Sequence, residues 1–418
     1  MRGFFLMVTV ALTVTAVLAA DAAAGDWAQF LGPNRNGIAP EAVKLARPWP
    51  EGGPEVLWKV DLGMGFGGPS IRDGKVYVLD RVDDAQDVLR CLDLASGKEQ
   101  WNFAYDAPGK LDHNGSRSTP TVDEKYVFTI GPFGHFHCVD KATHKPLWQK
   151  HLLEDFGGKR PNWGVAQSAL LYKDSVIVAP LSGSVGVAAF EKATGKLLWK
   201  SRPFGTMAYT SPAVTSIGGV EQVVMVGDRR VAGVDANTGE LLWTYGGHRC
   251  QIRIPSLTLI GDGRIFITGG YDAGSAMIKV QKSEGKFAVE ELFKVPEYGA
   301  QLHNALLYRD HLYLNCNTNS KADGLVCMDL DGKVKWKTGR QPHFERGNLI
   351  LVDGVLLVMH GRGGTLHMVQ PDPAGYKEIA QAKILSGRDI WAPMALADGK
   401  LVLRDQRQMK CLQVGPKE

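Results

Sequence analysis

The sequence predicts an all-β fold, an eight-bladed β-propeller of four-stranded antiparallel blades in which an N-terminal strand closes the last blade. Three observations carry this prediction. One hairpin motif returns along the chain, and two further short apolar strands precede each copy of it. A lone strand around Trp58 resembles the last strand of a repeat but has no preceding strands of its own.

The hairpin motif has five clear copies. In each copy an apolar strand ends at Asp or Glu, a turn supplies a residue with positive φ, in most copies the Gly of a Ser/Thr-Gly pair, and a second strand leads to a Trp. His144 stands where the second copy would have glycine, and His is one of the residues that enters the left-handed region more often than most. Fixed spacing inside repeated copies indicates a repeat architecture. The copies are Cys91–Trp101, Cys138–Trp148, Ala189–Trp199, Gly233–Trp243 and, one residue shorter, Cys327–Trp336.

The strands before each hairpin complete a four-stranded unit. In the first unit they are joined through Asp73-Gly74, the strongest two-residue hairpin signal. The last unit, 392–414, has only three strands, and the lone strand 56–60 supplies its fourth. Closing the ring in this way leaves no blade-sized edge exposed. Eight blades follow from fourth strands near residues 58, 101, 148, 199, 243, 293, 336 and 380. The alternative is a seven-bladed ring with 250–300 as an insertion.

The N-terminal residues 1–24 have the pattern of a cleaved secretory signal peptide, with Arg2 before an apolar run and small residues at its end. We expect residues 25–55 to be an N-terminal extension and 56–414 a single propeller domain. No Cys precedes Cys91, which argues against a lipoprotein, and no later apolar run is long enough to span a membrane. A periplasmic or secreted monomer is expected, and an uncleaved N-terminal anchor is the alternative.

Charge and cysteine usage limit the functional classes. The net charge is only +4 and no basic block occurs, which argues against a nucleic-acid partner. Cysteine spacing excludes C-x-x-C metal, redox and haem motifs. Four cysteines occupy one repeated position and are expected in the core: Cys91, Cys138, Cys327 and Cys411. A disulfide bridge between Cys250 and Cys316 is an alternative that the sequence does not decide.

Residues just before each innermost strand should line one mouth of the central channel. Arginines from four blades would favour an anionic group there, and two tryptophans could stack on a planar or sugar-like ligand. These four arginines are Arg117, Arg160, Arg253 and Arg346. Alternatively they pair with Asp112, Asp389 and channel carbonyls and brace the blades. The candidate ligand-binding residues are His113, Arg117, Asn162, Trp163, Tyr209, Arg253, His303, Asn304, Arg346 and Trp391.

Histidines raise the question of a metal. His135 and His137 alternate along one strand and face the same side, but zinc would need further ligands from another blade. Hydrogen-bonded or solvated histidines are the favoured interpretation, and no metal site is predicted. Asp112 beside His113 has no accompanying nucleophile in a strained turn. No catalytic residue is therefore assigned.

The repeat D-x-x-(T/S)-G-(K/E)-x-x-W resembles that of the pyrroloquinoline-quinone-like (PQQ-like) propellers. That family includes the quinoprotein alcohol dehydrogenases and the propeller lipoprotein of the outer-membrane barrel assembly machinery, both eight-bladed. The stretch 27–37 resembles the opening of a group of secreted bacterial PQQ-like propellers. The resemblance implies PQQ and calcium as cofactors of the dehydrogenases, together with a pair of adjacent cysteines. No such pair occurs here.

These observations predict an exported, non-catalytic binding or scaffold module for a partner protein or a small anionic ligand. The missing cysteine pair and the missing haem motif count against an enzyme. The alternative is a quinoprotein, PQQ-dependent alcohol or sugar oxidoreductase. PQQ and calcium belong to that alternative, and no cofactor is assigned by the sequence itself.

Overall fold

The computed structural model describes residues 25–206 and 208–416, and the predicted signal peptide lies outside these residues. The described residues form eight antiparallel four-stranded sheets arranged as an eight-bladed β-propeller. The first strands of neighbouring blades contact one another, so they are the innermost strands around the channel. None of the described residues belongs to a helix that could cross a membrane.

The first four blades run in chain order from the inner to the outer strand. Their strands are Ser70–Arg72, Lys75–Val82, Gln86–Asp93 and Glu99–Asp106 in blade 1; Thr121–Val122, Tyr126–Ile130, His135–Asp140 and Pro146–His151 in blade 2; Leu170–Tyr172, Ser175–Val178, Ala188–Glu191 and Leu197–Lys200 in blade 3; and Ala213–Ile217, Val220–Val226, Val231–Asp235 and Leu241–Tyr245 in blade 4.

The other four blades follow the same order, except that the outer strand of blade 8 comes from the N-terminal side. Their strands are Thr258–Gly261, Arg264–Gly269, Gly274–Ser283 and Lys286–Val295 in blade 5; Leu306–Tyr308, His311–Asn317, Ala322–Asp329 and Val334–Lys337 in blade 6; Leu349–Val352, Val355–Met359, Thr365–Gln370 and Lys377–Lys383 in blade 7; and Ala395–Ala397, Lys400–Arg404, Gln408–Gln413 and Glu55–Asp61 in blade 8.

The ring closes as the sequence predicts. Glu55–Asp61 pairs antiparallel with Gln408–Gln413, and Trp58 lies opposite Cys411. Blade 5 is a regular four-stranded sheet, so the seven-bladed alternative is wrong. The joined N- and C-terminal strands leave no blade with an unfilled position, which removes the edge that an open ring would expose.

The repeated glycine and tryptophan join neighbouring blades. Gly97, with φ of 70°, lies under the indole of Trp58, and a Cβ built on it would come within 2.7 Å of that ring. Gly195 stands in the same way against Trp148. His144 has φ of 60° and stacks on Trp101 with the ring centroids 4.7 Å apart. A turn that must pass this close to an indole therefore takes glycine or a ring that stacks on it.

The six cysteines are all buried and free, so the Cys250–Cys316 bridge is wrong. The four at the repeated position lie in the sheet cores, as predicted, where burial raises the pKa of Cys91 to about 11 and of Cys411 to about 12. These thiols stay protonated at neutral pH and act as small apolar side chains.

A chain of hydrogen bonds links the starts of the inner strands around the channel. In each link a backbone N–H of one blade donates to a side-chain oxygen of the next blade. The links run from Thr119 to Ser168 (3.0 Å), Ser168 to Ser211 (2.9 Å), Ser211 to Ser256 (2.8 Å) and Ser256 to Asn304 (3.1 Å). We call these links the channel belt. They hold five consecutive blades at one radius.

Candidate functional site

The loops before the inner strands meet at one end of the channel, where they enclose a cavity of about 380 Å³. Seven of the ten sequence-predicted residues line it: His113, Arg117, Trp163, Tyr209, His303, Arg346 and Trp391. We call this space the mouth cavity. Two wider hollows, one at blade 8 and one at blade 4, have no aromatic side chains in their lining. The mouth cavity is therefore the candidate site.

Three predicted residues lie outside the cavity lining. Asn162 is exposed to solvent. Asn304 belongs to the channel belt, where it also donates to the carbonyl of Leu257 at 3.1 Å. Arg253 is 2% exposed and donates to His248, both to its Nδ1 and to its carbonyl. Asn304 and Arg253 support the backbone instead of facing a ligand.

The predicted convergence of four arginines is wrong, because only Arg117 and Arg346 reach the cavity. The guanidinium of Arg160 lies 5.2 Å from the ring centre of Phe133, outside the lining. Arg253 turns inward to His248. The alternative that mouth arginines brace the loops through carbonyls holds for Arg117, which donates to the carbonyls of Asp112 and His113, and for Arg253, which donates to the carbonyl and ring of His248. Neither arginine pairs with the carboxylate of Asp112 or Asp389 among the described residues.

One wall of the cavity is aromatic and carries both arginines. Phe66 and Trp391 stack with centroids 5.5 Å apart at 28°, and His113 packs against both rings. Arg117 lies 5.0 Å from the ring centre of Phe66, and Arg346 lies 4.7 Å from that of Trp391. Planar, positively charged groups thus cover planar rings, an arrangement that suits a flat anion.

Glu345 fixes the position of this wall. Its Oε2 accepts a hydrogen bond from Trp391 Nε1 at 3.0 Å, and its Oε1 accepts one from Arg346 Nε at 2.6 Å. Arg346 also donates to Asn319 Oδ1 at 2.6 Å. Although burial opposes ionisation, these bonds and the Arg346 charge leave the pKa of Glu345 lowered. The charge of Arg346 is therefore already balanced by a carboxylate.

The charge of Arg117 is not balanced by a carboxylate of the described chain. Its guanidinium donates to the carbonyls of Asp112 and His113, and its Nε is buried without a hydrogen-bond partner. No carboxylate pairs with it among the described residues. Burial lowers the pKa of Arg117 to about 10, so it remains charged at neutral pH. A ligand carboxylate at this point would offset the desolvation of the cation.

The opposite side of the cavity holds a second aromatic pair and a neutral histidine. Trp163 and Tyr209 lie 5.5 Å apart at 43°. His303 Nδ1 faces Asn348 Nδ2 at 3.2 Å and accepts its hydrogen, which places the proton of the neutral ring on Nε2. That Nε2 is buried without a partner, and burial lowers the pKa of His303 to about 4. His303 is therefore a neutral side chain in the cavity wall.

Several lining residues were not among the sequence-predicted set. Tyr271 and Asn319 come from turns between the second and third strands of blades 5 and 6, and Phe30 comes from the N-terminal extension. Gly269-Gly270 marks the first of these turns in the sequence but says nothing of its direction. Asp389 was expected to pair with an arginine. Instead it lines the cavity, and among the described lining residues it is the one that carries a carboxylate.

The donor set does not fit a calcium ion. Within 25–206 and 208–416 no group of three or more His, Cys, Asp or Glu side chains could hold a metal. Both oxygens of Glu345 are occupied by Arg346 and Trp391.

His135 and His137 lie between blades 1 and 2 against Tyr105, with both Nδ1 atoms buried and unpartnered.

The comparisons with known proteins agree with this architecture. A family model described as outer membrane protein assembly factor BamB matches residues 84–249. A quinoprotein ethanol dehydrogenase of Pseudomonas aeruginosa is 26% identical over 180 residues, covering 39% of this chain and 28% of that protein. Quinoprotein alcohol dehydrogenase PedH of Pseudomonas putida is 24% identical over 283 residues, covering 62% and 44%. The matches thus span less than half the length of these relatives.

Solved structures support the fold alone. The quinohemoprotein alcohol dehydrogenase of Comamonas testosteroni superposes with a TM-score of 0.64 at 13% identity, covering 96% of this chain and 82% of that chain. A computationally designed protein, Ika8, reaches a TM-score of 0.59 at 13% identity, covering 86% and 99%. The eight blades make this chain a β-propeller. Its repeat and its sequence matches are similar to those of the PQQ-like propellers, among them the quinoprotein alcohol dehydrogenases and the assembly factor BamB.

Proposed function

We propose that the mouth cavity binds a planar, negatively charged quinone of the PQQ type and that the protein is an oxidoreductase acting on alcohols or sugars. The observation that carries this proposal is Arg117, a half-buried cation whose buried Nε has no hydrogen-bond partner and whose charge no carboxylate of the described residues balances, beside the stacked rings of Phe66 and Trp391. The sequence relatives are quinoprotein dehydrogenases, which favours this function over the non-catalytic module.

The residues present fit a flat polycarboxylate. Phe66 and Trp391 offer an aromatic wall, Arg117 would bind a carboxylate, and His303 would donate from Nε2 to a carbonyl oxygen. A quinone bound there would supply the two-electron acceptor for oxidation of an alcohol to a carbonyl compound. Asp389 lies in the lining as a carboxylate that could accept the proton of the alcohol. No step is assigned to calcium, because the described donors do not fit it.

Titration with PQQ tests the site. Quenching of tryptophan fluorescence should follow binding in wild-type protein, and Arg117→Gln should raise Kd about 10- to 100-fold, because a charge-assisted hydrogen bond contributes about 1.5–3 kcal/mol. Arg160→Gln is the matched control, since Arg160 comes from the same mouth but lies outside the lining. Equal effects of the two substitutions, or no binding to wild-type protein, would overturn the proposal.

The reaction is tested separately with an artificial electron-accepting dye. We expect alcohol-dependent dye reduction by the PQQ-loaded protein and its loss in Asp389→Asn. Binding of PQQ at the mouth without any dye reduction would identify a non-catalytic binding module instead, the second candidate function. A protein partner and a monomeric state also remain proposals.

We further propose that the protein is exported to the periplasm or secreted. The support is the signal-like pattern of residues 1–24 and the outer-membrane description of the matching family. N-terminal sequencing of the protein from a periplasmic extract should give a start between residues 20 and 25. Recovery of the chain with Met1 still attached would contradict cleavage.

A further inference from the structure

The segment Trp27–Ile38 of the N-terminal extension closes the end of the channel opposite the mouth. Trp27 bridges to the inner strand of blade 1, and the carbonyl of Ala28 accepts from the inner strand of blade 2. Arg35 donates to carbonyls at the start of the inner strand of blade 3, and Ile38 bridges to blade 7. Twelve residues thus contact the inner strands of four blades. We call this segment the plug.

The plug enters from the side of the turns that follow the inner strands. Asp26 Oδ1 accepts from the backbone of Asp73, which lies in that turn of blade 1. Lys44 and Arg47, just after the plug, pair with Asp353 in the equivalent turn of blade 7. The mouth loops precede the inner strands, so the plug enters the channel from the end opposite the mouth and reaches along it to Ser168 at the start of the blade 3 inner strand.

The plug is held by its own hydrogen bonds as well as by the ring. The backbone N–H of Gly32 donates to Gln29 at 3.0 Å, and that of Gly37 donates to Leu31 at 2.9 Å. Arg35 is buried and donates to Gln29 Oε1 at 3.0 Å and to the carbonyl of Ala169 at 2.8 Å. The plug is therefore a fixed part of the channel wall.

Phe30 is the plug residue that lines the mouth cavity. The centre of its ring lies 5.9 Å from the guanidinium of Arg35, another residue of the plug. We propose that Phe30 is the floor of the ligand site and limits the length of the ligand that the cavity accepts. This inference rests on the mouth cavity being the ligand site of the proposed function, but not on the ligand being a quinone.

Two rigid anions that differ by one phenyl ring test the floor: biphenyl-4-carboxylate and p-terphenyl-4-carboxylate. Wild-type protein should bind the shorter probe at least tenfold more tightly, as measured by fluorescence titration. Phe30→Ala removes one ring from the floor and should shift the preference at least tenfold toward the longer probe. Phe30→Trp should shift it the other way, and it keeps the test informative if Phe30→Ala folds poorly.

Phe287→Ala is the matched control, because it removes the same ring from the outer strand of blade 5. If Phe30 variants leave the probe preference unchanged while Arg117→Gln abolishes binding, the floor is wrong and the mouth site stands. If the probes bind with the expected dependence on Phe30 but PQQ does not bind, the quinone is wrong and the floor stands. Failure of both probes to bind any form of the protein would overturn the mouth site and the floor together.

Discussion

Replacing Trp58 tests whether the N-terminal strand holds the ring together. Its side chain is 8% exposed, lies over Gly97 of blade 1, and donates from Nε1 to the carbonyl of Leu94 at 2.8 Å. The same residue pairs with Cys411 in blade 8. Trp58 therefore joins the last blade to the first.

The expected losses follow from these contacts. Trp58→Ala should lower the free energy of unfolding by about 3–5 kcal/mol, the usual effect of truncating a buried tryptophan. Trp58→Phe keeps a ring over Gly97 but leaves the Leu94 carbonyl without its donor, which should cost about 1–2 kcal/mol. Trp101→Phe is the matched control. Trp101 stacks on His144, but within the described residues its indole N–H makes no hydrogen bond.

Urea unfolding followed by far-ultraviolet circular dichroism measures these differences, provided that the slope of the transition is the same for each variant. We expect the order wild type, Trp101→Phe, Trp58→Phe, Trp58→Ala, from most to least stable. A loss below about 0.5 kcal/mol for Trp58→Ala would refute the reasoning, because changes of that size are typical of surface substitutions. So would equal losses for the two Trp→Phe variants.

Two further predictions concern packing and pH. Gly233→Ala should lower the free energy of unfolding by about 1–3 kcal/mol through overpacking, because the added Cβ would overlap the indole of Trp243. Ala189 holds the equivalent position in blade 3, and Ala189→Gly is the control in which no clash is introduced. Burial lowers the pKa of His137 to about 4, below the 6.5 expected when unfolded, so the unfolded chain takes up a proton between pH 6.5 and 4 that the native chain does not. The free energy of unfolding should therefore decrease as the pH is lowered from 6.5 to 4, and it should decrease less steeply in His137→Gln. Parallel pH profiles of the two proteins would contradict this.

The blades could be predicted from the sequence because five of the eight repeats carry the same local signals and set the spacing for the rest. The turn glycines, the preceding acid and the tryptophan belong to one hairpin, and their contacts with the next blade recur with the repeat. The closing strand was predictable for the same reason, since Trp58 stands where a fourth strand would have its tryptophan. Even His144, the exception, keeps the positive φ of the glycine it replaces.

The direction of individual mouth side chains could not be predicted. Loop position follows from the ring, but Arg253 turns to His248 and Arg160 to Phe133 because those partners happen to lie nearby. Phe30 was missed for a different reason. It reaches the cavity through a fold-back of the N-terminal extension, and no periodicity in the sequence records such a long-range contact.

The channel belt limits where this architecture can change. Ser168, Ser211, Ser256 and Asn304 already accept the backbone N–H groups of their neighbours, so replacing any of them would strand a buried donor and loosen two blades at once. In the loop above them, the indole of Trp163 makes no hydrogen bond among the described residues and packs against the ring of Tyr209. New binding specificities can thus arise by exchanging a mouth residue such as Trp163, while the hydroxyl and amide groups a few residues along the chain keep the circumference constant.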